Sequence, residues 1–559
     1  MTSNKRTVQQ LITICKEKGI RDVVISPGSR NAPLIIGFTK DPYFNCINIP
    51  DERVAAFIAL GMTQESGVPT IITCTSGSAV LNYHPAISEA FYQNLPVIVV
   101  SADRPQEWID QADGQTIRQP NALQNHTVYN TTLFERDDHE DTQWKNSYEI
   151  NKALETAIFP NQGPVHINIP FSEPLYDTDE ESLESKTFST VIPGQSLNPQ
   201  HIDQLQTEWD QLPNRLIVVG MQKPNPELED VLFELTDTDQ AVVMTETTSN
   251  LSGENILTCI DRVINTIDEE TLHKLKPDLL ITIGGPIVSK KIKKLLRSFH
   301  IQNHWHIANQ GLVLDTYKAL TRHIPMKAEN VLSELDFGSD RKEYAQLWKK
   351  LNAEKRAAHE NVTNEVEWSD MTVFRELNSF IPNDSVIHTA NSSPIRYMQL
   401  FNWNNSIVQF ANRGTSGIDG CTSTALGYAL KTNKLVTLIT GDISFFYDSN
   451  AFFHNHVPDN LRIILINNGG GNIFRIIPGP KTSGALEQHF ESHHNFHARE
   501  IAKAFWMDYE FADDEKSLNT ALTKAYHEDT ENAMIVEIST PREQNDLILA
   551  EYFKALKQS

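Results

Sequence analysis

Residues 435–472 read LVTLITGDISFFYDSNAFFHNHVPDNLRIILINNGGGN. Two apolar, β-branched runs, LVTLIT and LRIILI, each stop on polar residues: Gly441-Asp442 after the first, Asn467-Asn468 after the second. Continuous runs of this kind are strands buried on both faces, as in a parallel sheet wrapped by helices. Ligands of such sheets gather beyond the carboxyl ends of the strands. Asp442 and Asn468, 26 positions apart, are therefore placed to meet at one edge. A carboxylate and an amide oxygen there suit a hard cation such as Mg²⁺, which takes oxygen ligands and shares them with phosphates. Gly470 can add a backbone carbonyl. The amides of Gly441, Ile443 and Ser444 can receive phosphate oxygens where a helix begins. Alone, Asp442 reads equally as a helix cap and Asn467-Asn468 as a turn; the pair, followed by three glycines, points to a metal-diphosphate site.

The same strand pattern runs outward through the chain. It occurs as DVVISP (22–27), TIITCT (70–75), VIVVSA (97–102) and VHINIP (165–170), and again as RLIVVG (215–220), AVVMTE (241–246) and DLLITIGG (278–285). A third block opens with SVIHTA (385–390). Polar stretches separate the blocks: a linker within 174–200 and a charged, helical connection at roughly 336–370. The reading is three α/β domains in series with right-handed crossovers. Strand-end turns rich in Gly and Ser concentrate in the first and third blocks, while the middle block offers only GGPIVSKK.

Composition limits the classes of partner. The 559 residues carry 48 Lys plus Arg against 72 Asp plus Glu, a formal charge of -24. Such a balance repels nucleic-acid backbones and anionic lipid, so neither is an expected partner. It also makes convergent arginines and lysines informative. Five scattered cysteines without a CxxC pair fit a reducing compartment. The N-terminus, an amphipathic helix running into a strand, lacks the apolar core of a signal peptide, so a cytoplasmic location is expected.

Two further groups of residues carry chemistry. NIPDERVAAFIALG puts Glu52 at a strand-to-helix junction. Asp51 and Glu52 there suit a cap and a helix dipole, yet a carboxyl against an apolar helix is also one whose pKa rises. Arg30, Arg104, Arg118, Lys290, Lys291, Arg396 and Arg413 all follow strand ends or Gly/Ser-rich turns. Guanidinium groups bind carboxylates bidentately, and Ser29, Gln115 and Ser392 are neutral hydrogen-bonding partners beside them.

In order along the chain, SPGSR, PDER, TSGSA, ADRP, GQTIRQP, GPVHINIPF, SKK, NSSPIR, NRGTSGIDG, GDISFFYD and NNGGGNIF resemble the motifs of one thiamine-diphosphate enzyme branch. These are the 2-succinyl-5-enolpyruvyl-6-hydroxy-3-cyclohexene-1-carboxylate (SEPHCHC) synthases. Most of the wider superfamily has Gly where this chain has Ile443, and the branch often has Gly or Gln where it has Asn472. The resemblance implies three doubly wound parallel-sheet domains: 1–180 pyrimidine-binding, 190–340 central, and 360–559 diphosphate- and Mg-binding. It implies thiamine diphosphate with Mg²⁺, for which Mn²⁺ can substitute, and Asp442, Asn468 and the Gly470 carbonyl as metal ligands. Glu52 takes the role of activating the cofactor. Gly441, Ile443, Ser444, Ser392, Ile473 and Phe474 line the cofactor, and Ile418 lies beneath it. Arg30, Arg396 and Arg413 stand near reacting groups, and Arg104, Gln115, Lys290 and Lys291 near the acceptor. A homodimer or dimer of dimers follows, with active sites between subunits. The implied reaction is decarboxylative 1,4-carboligation of 2-oxoglutarate to isochorismate, giving SEPHCHC and CO₂ in menaquinone biosynthesis.

Two other functions remain to be separated from this one. Another thiamine 2-oxoacid decarboxylase or carboligase would need fewer cations in its acceptor site. A non-catalytic cofactor-binding regulator would not need Glu52 together with Asp442 and Asn468. A Rossmann dehydrogenase is disfavoured because no GxGxxG follows a strand, and the cluster His489, His493, His494 and His497 sits in a polar stretch poorly suited to zinc.

Overall fold

Val, Ile and Leu alternate along the central strands so that both faces are apolar, and both faces are covered. In the computed structural model, Ile217, Val219, Ile281 and Ile283 enter one core layer, while Leu216, Val218 and Leu280 enter the layer on the opposite face. The structure describes residues 1–558 except 136–137, 181–184, 193, 195, 339–341 and 529. Parts of the expected linker at 174–200 and of the charged connection at 336–370 thus lie outside the described residues.

A short strand β1 (Thr2–Ser3) precedes the helix Arg6–Glu17. The first large sheet is built from β2 (Asp22–Ile25), β3 (Asn45–Asn48), β4 (Thr70–Cys74), β5 (Val97–Asp103), β6 (Tyr129–Thr132) and β7 (Val165–Pro170). Its order is β3-β2-β4-β5-β7-β6, and β8 (Thr178–Asp179) pairs antiparallel with β1. The second sheet holds β9 (Arg215–Val219), β10 (Val242–Thr245), β11 (Leu279–Ile283), β12 (Asn303–Ile307) and β13 (Arg322–Ile324), in the order β10-β9-β11-β12-β13. The third comprises β14 (Val386–Thr389), β15 (Val408–Phe410), β16 (Val436–Gly441), β17 (Leu461–Asn467), β18 (Asp508–Ala512) and β19 (Met534–Ser539). Its order, β15-β14-β16-β17-β19-β18, repeats the topology of the first. These are three parallel α/β sheets, as the apolar runs lead one to expect. In each six-stranded sheet the chain reverses its winding direction beside the first-formed strand, between β2 and β4 and between β14 and β16. Crevices open at such switch points, and SPGSR, TSGSA, ANSSP and GD sit there.

Packing divides the chain into two units. One comprises Met1–Pro193, Asn412–Asn433 and Phe446–Leu461; the other comprises Gly194–Ala411, Lys434–Phe445 and Arg462–Ser559. The first unit borrows the helix Cys421–Ala429, which crosses the helix Glu52–Ser66 at backbone contact. A Cβ on Gly61 would stand 2.0 Å from the Thr424 carbonyl oxygen, and one on Gly427 would stand 2.0 Å from that of Ile58. Only residues without a side chain allow this approach.

Also in the first unit, His166 is wholly buried on β7 with Nε2 2.7 Å from Ser101 Oγ. Burial lowers its pKa from 6.5 to about 4. Unfolded chain therefore binds a proton that folded chain does not, and this part of the stability, present above pH 6.5, is lost as pH falls towards 4. Asp448, raised to about 7 by burial, acts in the opposite sense, losing stability as pH rises from about 4 to 7. Comparison of His166→Gln with the parent isolates the histidine. Its urea-unfolding free energy should fall less steeply between pH 6.5 and 4, by about 1.4 kcal/mol per pH unit; equal slopes would refute the assignment.

Candidate active site

In the first unit, Asp51, Glu52 and Arg53 divide three tasks. Asp51 caps the helix Glu52–Ser66 by accepting from Val54 N at 3.2 Å, and it receives Asn450 Nδ2 at 3.0 Å. Arg53 lies 3.5 Å from the buried Asp448 and donates to the carbonyls of Asp419 and Tyr447. Asp448 in turn accepts from Ser423 N at 2.7 Å and Ser423 Oγ at 2.9 Å. Glu52 is half-buried between these anchors. Burial pushes its carboxyl above the usual range, against hydrogen bonds from its own backbone and from Asn82, while Asp51 adds to the rise. A carboxyl whose pKa is raised by burial holds or shares a proton more readily than an exposed one.

Around the ends of β2, β4 and β5, the same unit gathers a basic pair. Arg30 is buried; its Nη1 donates to Phe171 O at 2.8 Å and its Nη2 lies 3.6 Å from Glu173. Burial, and then the charge of Arg104, depress its pKa. Arg104 donates to Gly114 O at 2.8 Å and pairs with Asp113 at 3.3 Å. The Nε of each arginine is buried without a hydrogen-bond partner among the described residues. Two neighbouring guanidiniums with unused donors have the chemistry to bind a carboxylate. Ser29 adjoins Arg30 in the chain, and the Gln115 backbone packs on Gly77, where a Cβ would meet it at 3.2 Å. Arg118 stands apart, exposed and paired with Asp110 at 2.8 Å.

The loop carrying Arg413 and Ile418, both partly buried, also belongs to this unit. Glu89 holds it, accepting from Gly414 N at 2.7 Å and from Thr415 N and Oγ1 at 2.6 Å each. Sequence reading missed Glu89, Asn82 and Asp448. Each sits in an ordinary helix or turn context, and its partner is distant in the chain.

The second unit assembles the oxygen donors. Asp442 is buried at the end of β16, its Oδ1 accepting from Ile443 N at 2.6 Å and its Oδ2 from Gly470 N at 2.8 Å. That second bond brings the loop after β17 against the loop after its neighbour β16. Gly470 has φ 152°, and a Cβ there would lie 2.8 Å from Glu491 O, so both conformation and space demand glycine. Glu491 O receives Gly471 N at 2.7 Å, while its carboxylate is held by Arg475 and Arg542. Asn468 directs its amide nitrogen to Asp370 Oδ2 at 3.5 Å. Space in front of Gly441 is open, the nearest atom to a Cβ there being Pro394 Cγ at 4.0 Å. A carboxylate, an amide oxygen and a glycine carbonyl beside an open strand end fit a hard cation with a diphosphate.

Ser444 is buried, and Ile443, Ile473 and Phe474 are half-buried. Ser392 has φ 80°, a strained conformation for a non-glycine residue of the sort that clusters at ligand sites. Arg396 is depressed in pKa by burial against the pull of Asp261 and Glu246. Asp261 responds to Lys291 as well as Arg396, so these two cations share one neighbourhood. Glu246 and Asp261 also accept from Ser289, which caps the helix opened by the exposed Lys290 and Lys291. The histidines are used one by one. His493 Nδ1 meets Gly469 O at 2.8 Å, His497 Nδ1 meets Glu537 at 2.8 Å, and His494 Nε2 lies 3.6 Å from Asp442. Among the described residues no group of three or more His, Cys, Asp or Glu could hold a metal, and no helix is long and apolar enough to cross a membrane.

The amino-acid sequence matches known families. Residues 5–127 match the thiamine pyrophosphate enzyme N-terminal TPP binding domain, and residues 194–388 match the middle domain of thiamine pyrophosphate enzymes. Relatives sharing that class span the chain. A 2-succinyl-5-enolpyruvyl-6-hydroxy-3-cyclohexene-1-carboxylate synthase of Flavobacterium johnsoniae is 44% identical, with 98% of each chain covered. Synthases of the same name from Christiangramia forsetii and Porphyromonas gingivalis are 42% and 37% identical, covering 98% and 97% of those proteins and 98% and 99% of this one. The chain belongs to the SEPHCHC synthase family.

Proposed function

We infer that the chain is a thiamine-diphosphate-dependent transferase of menaquinone biosynthesis that joins a decarboxylated 2-oxoglutarate unit to isochorismate by 1,4-addition, releasing CO₂ and SEPHCHC. The observation that carries this reading is the convergence of Asp442, Asn468 and Gly470 at the ends of neighbouring strands. These three would hold Mg²⁺ or Mn²⁺, and the amides of Gly441, Ile443 and Ser444 would receive the diphosphate. When bound, the cofactor supplies the nucleophilic carbon and the electron sink for decarboxylation.

Everything else is the work of this chain. Glu52 holds a proton on its carboxyl and shares it with a ring nitrogen of the ligand. Arg30 and Arg104, with Ser29 and Gln115, bind carboxylate at one edge; Arg396 with Lys290 and Lys291 binds it at another, and Arg413 adds a further cation. Each desolvated charge-assisted contact is worth about 1.5–3 kcal/mol, and holding both reactants lowers the entropic part of the barrier. Ile418 supports the cofactor from below, and Ser392, Ile473 and Phe474 border it. We assign residues 1–180, 190–340 and 360–559 to pyrimidine-binding, central and diphosphate-binding domains. Two copies, or two pairs, complete the active sites between subunits in the cytoplasm.

Purified protein incubated with thiamine diphosphate, Mg²⁺ and 2-oxoglutarate, with and without isochorismate, tests the reading by mass spectrometry. A decarboxylated adduct that appears only with both substrates is the expected result. Free succinic semialdehyde without adduct would reassign the acceptor, and cofactor binding with no substrate consumed would point to a regulator.

A further inference from the structure

We propose that Asp370 is a positioning residue that fixes which end of the Asn468 amide faces the cation. The inference rests on the reading of Asn468 as an oxygen ligand. Asp370 begins the helix Asp370–Phe380 and is almost wholly buried. Its Oδ1 is occupied by Thr540 Oγ1 at 2.6 Å and Asn545 Nδ2 at 3.0 Å. Its own amide donates to Asn545 Oδ1 at 2.9 Å, so the Asn545 side chain is fixed from both ends. The remaining oxygen, Oδ2, faces Asn468 Nδ2 at 3.5 Å.

An amide has one accepting and one donating end, and rotation by half a turn exchanges them with little change of shape. Only the accepting end can bind a cation. Asp370 Oδ2 accepts from the Asn468 nitrogen, so it draws that nitrogen inward and turns the amide oxygen away from itself. In Asp370→Asn, Thr540 and Asn545 still donate to the first position and so retain an oxygen there. The new amide nitrogen is left facing Asn468, whose oxygen turns inward to accept from it. The NH₂ end then faces the cation. Partners in the shell behind metal ligands typically change metal affinity by about ten- to a hundredfold.

The test is Mn²⁺ binding to the full-length protein with saturating thiamine diphosphate, read by electron paramagnetic resonance of free Mn²⁺. Asp370→Asn is expected to weaken binding at least about tenfold. The double variant Asp370→Asn with Asn468→Asp should recover most of the loss, because a carboxylate presents oxygen whichever way it is turned and accepts from the new amide. General damage at Asp370 would not be repaired by that second change. Asn468→Ala separates the inference from the reading beneath it. If Asn468→Ala leaves Mn²⁺ affinity unchanged, the ligand assignment fails. If Asn468→Ala weakens binding while Asp370→Asn does not, or the double variant binds no better than Asp370→Asn, the positioning role is overturned.

Discussion

Glu52→Gln, assayed with saturating cofactor and both substrates, is expected to lose roughly 10²–10⁴-fold in kcat while keeping its fold. The glutamine matches the glutamate in size, and the helix start is secured by its neighbours, since Asp51 caps Val54 and Arg53 is anchored to Asp448. What changes is the proton inventory. The parent carboxyl, its pKa raised by burial, can take up and release a proton, whereas a primary amide can do neither. Binding of thiamine diphosphate, followed by tryptophan fluorescence, should weaken much less than turnover falls. That division between kcat and affinity marks a group whose interaction matters in the transition state more than in the ground state. Full turnover in the variant would remove Glu52 from the mechanism.

Gly61→Ala should destabilise the protein by about 3 kcal/mol, with Gly427→Ala close behind. The sign is the test. At an exposed position in a helix this change stabilises by about 1 kcal/mol, because alanine loses less backbone freedom on folding. Here the added methyl meets a carbonyl oxygen of the crossing helix at 2.0 Å, and neither backbone can yield without shifting its helix. Urea-unfolding midpoints measure the effect, and a midpoint at or above that of the parent would show that the helices part freely. The double variant should cost less than the two losses together, since the first methyl already separates the helices.

The interior strands were legible because burial on both faces leaves a continuous apolar run: β2, β4, β5, β9, β11, β16 and β17 all announce themselves. Strands at sheet edges, β10 (AVVMTE) excepted, do not. NCIN at β3, YNTT at β6, RHI at β13 and DYEFA at β18 carry polar residues that stay partly exposed. Two interior strands also escaped. NHWHI at β12 buries His304 and His306, which both meet Thr282 Oγ1. MIVEIS at β19 buries Glu537, which accepts from Asn467, His497, Ala498 and Tyr509. Buried polar groups held by distant partners look like surface residues until those partners are known. The site divides in the same way. Strand-end residues such as Asp442, Asn468 and Arg30 stand out by position and spacing, whereas Glu52 is singled out only by the family resemblance. Asp370, Glu89 and Glu491 act through residues far away in the chain, and no local pattern marks them.

The borrowing of residues 412–433 and 446–461 by the first unit sets a timetable for synthesis. The helix Glu52–Ser66 leaves the ribosome long before its crossing partner Cys421–Ala429 exists. At about 5–20 residues per second the gap is roughly 20–70 s. Through that interval Phe57, Gly61 and their neighbours lack the surface they are shaped to meet, and Arg53 lacks Asp448. The nascent N-terminal sheet can form, but its finishing contacts must wait until most of the second unit has been translated. Fragments ending near residue 190 should therefore be sticky and need chaperones. A useful cut for expressing this portion alone would have to graft the later helix back on.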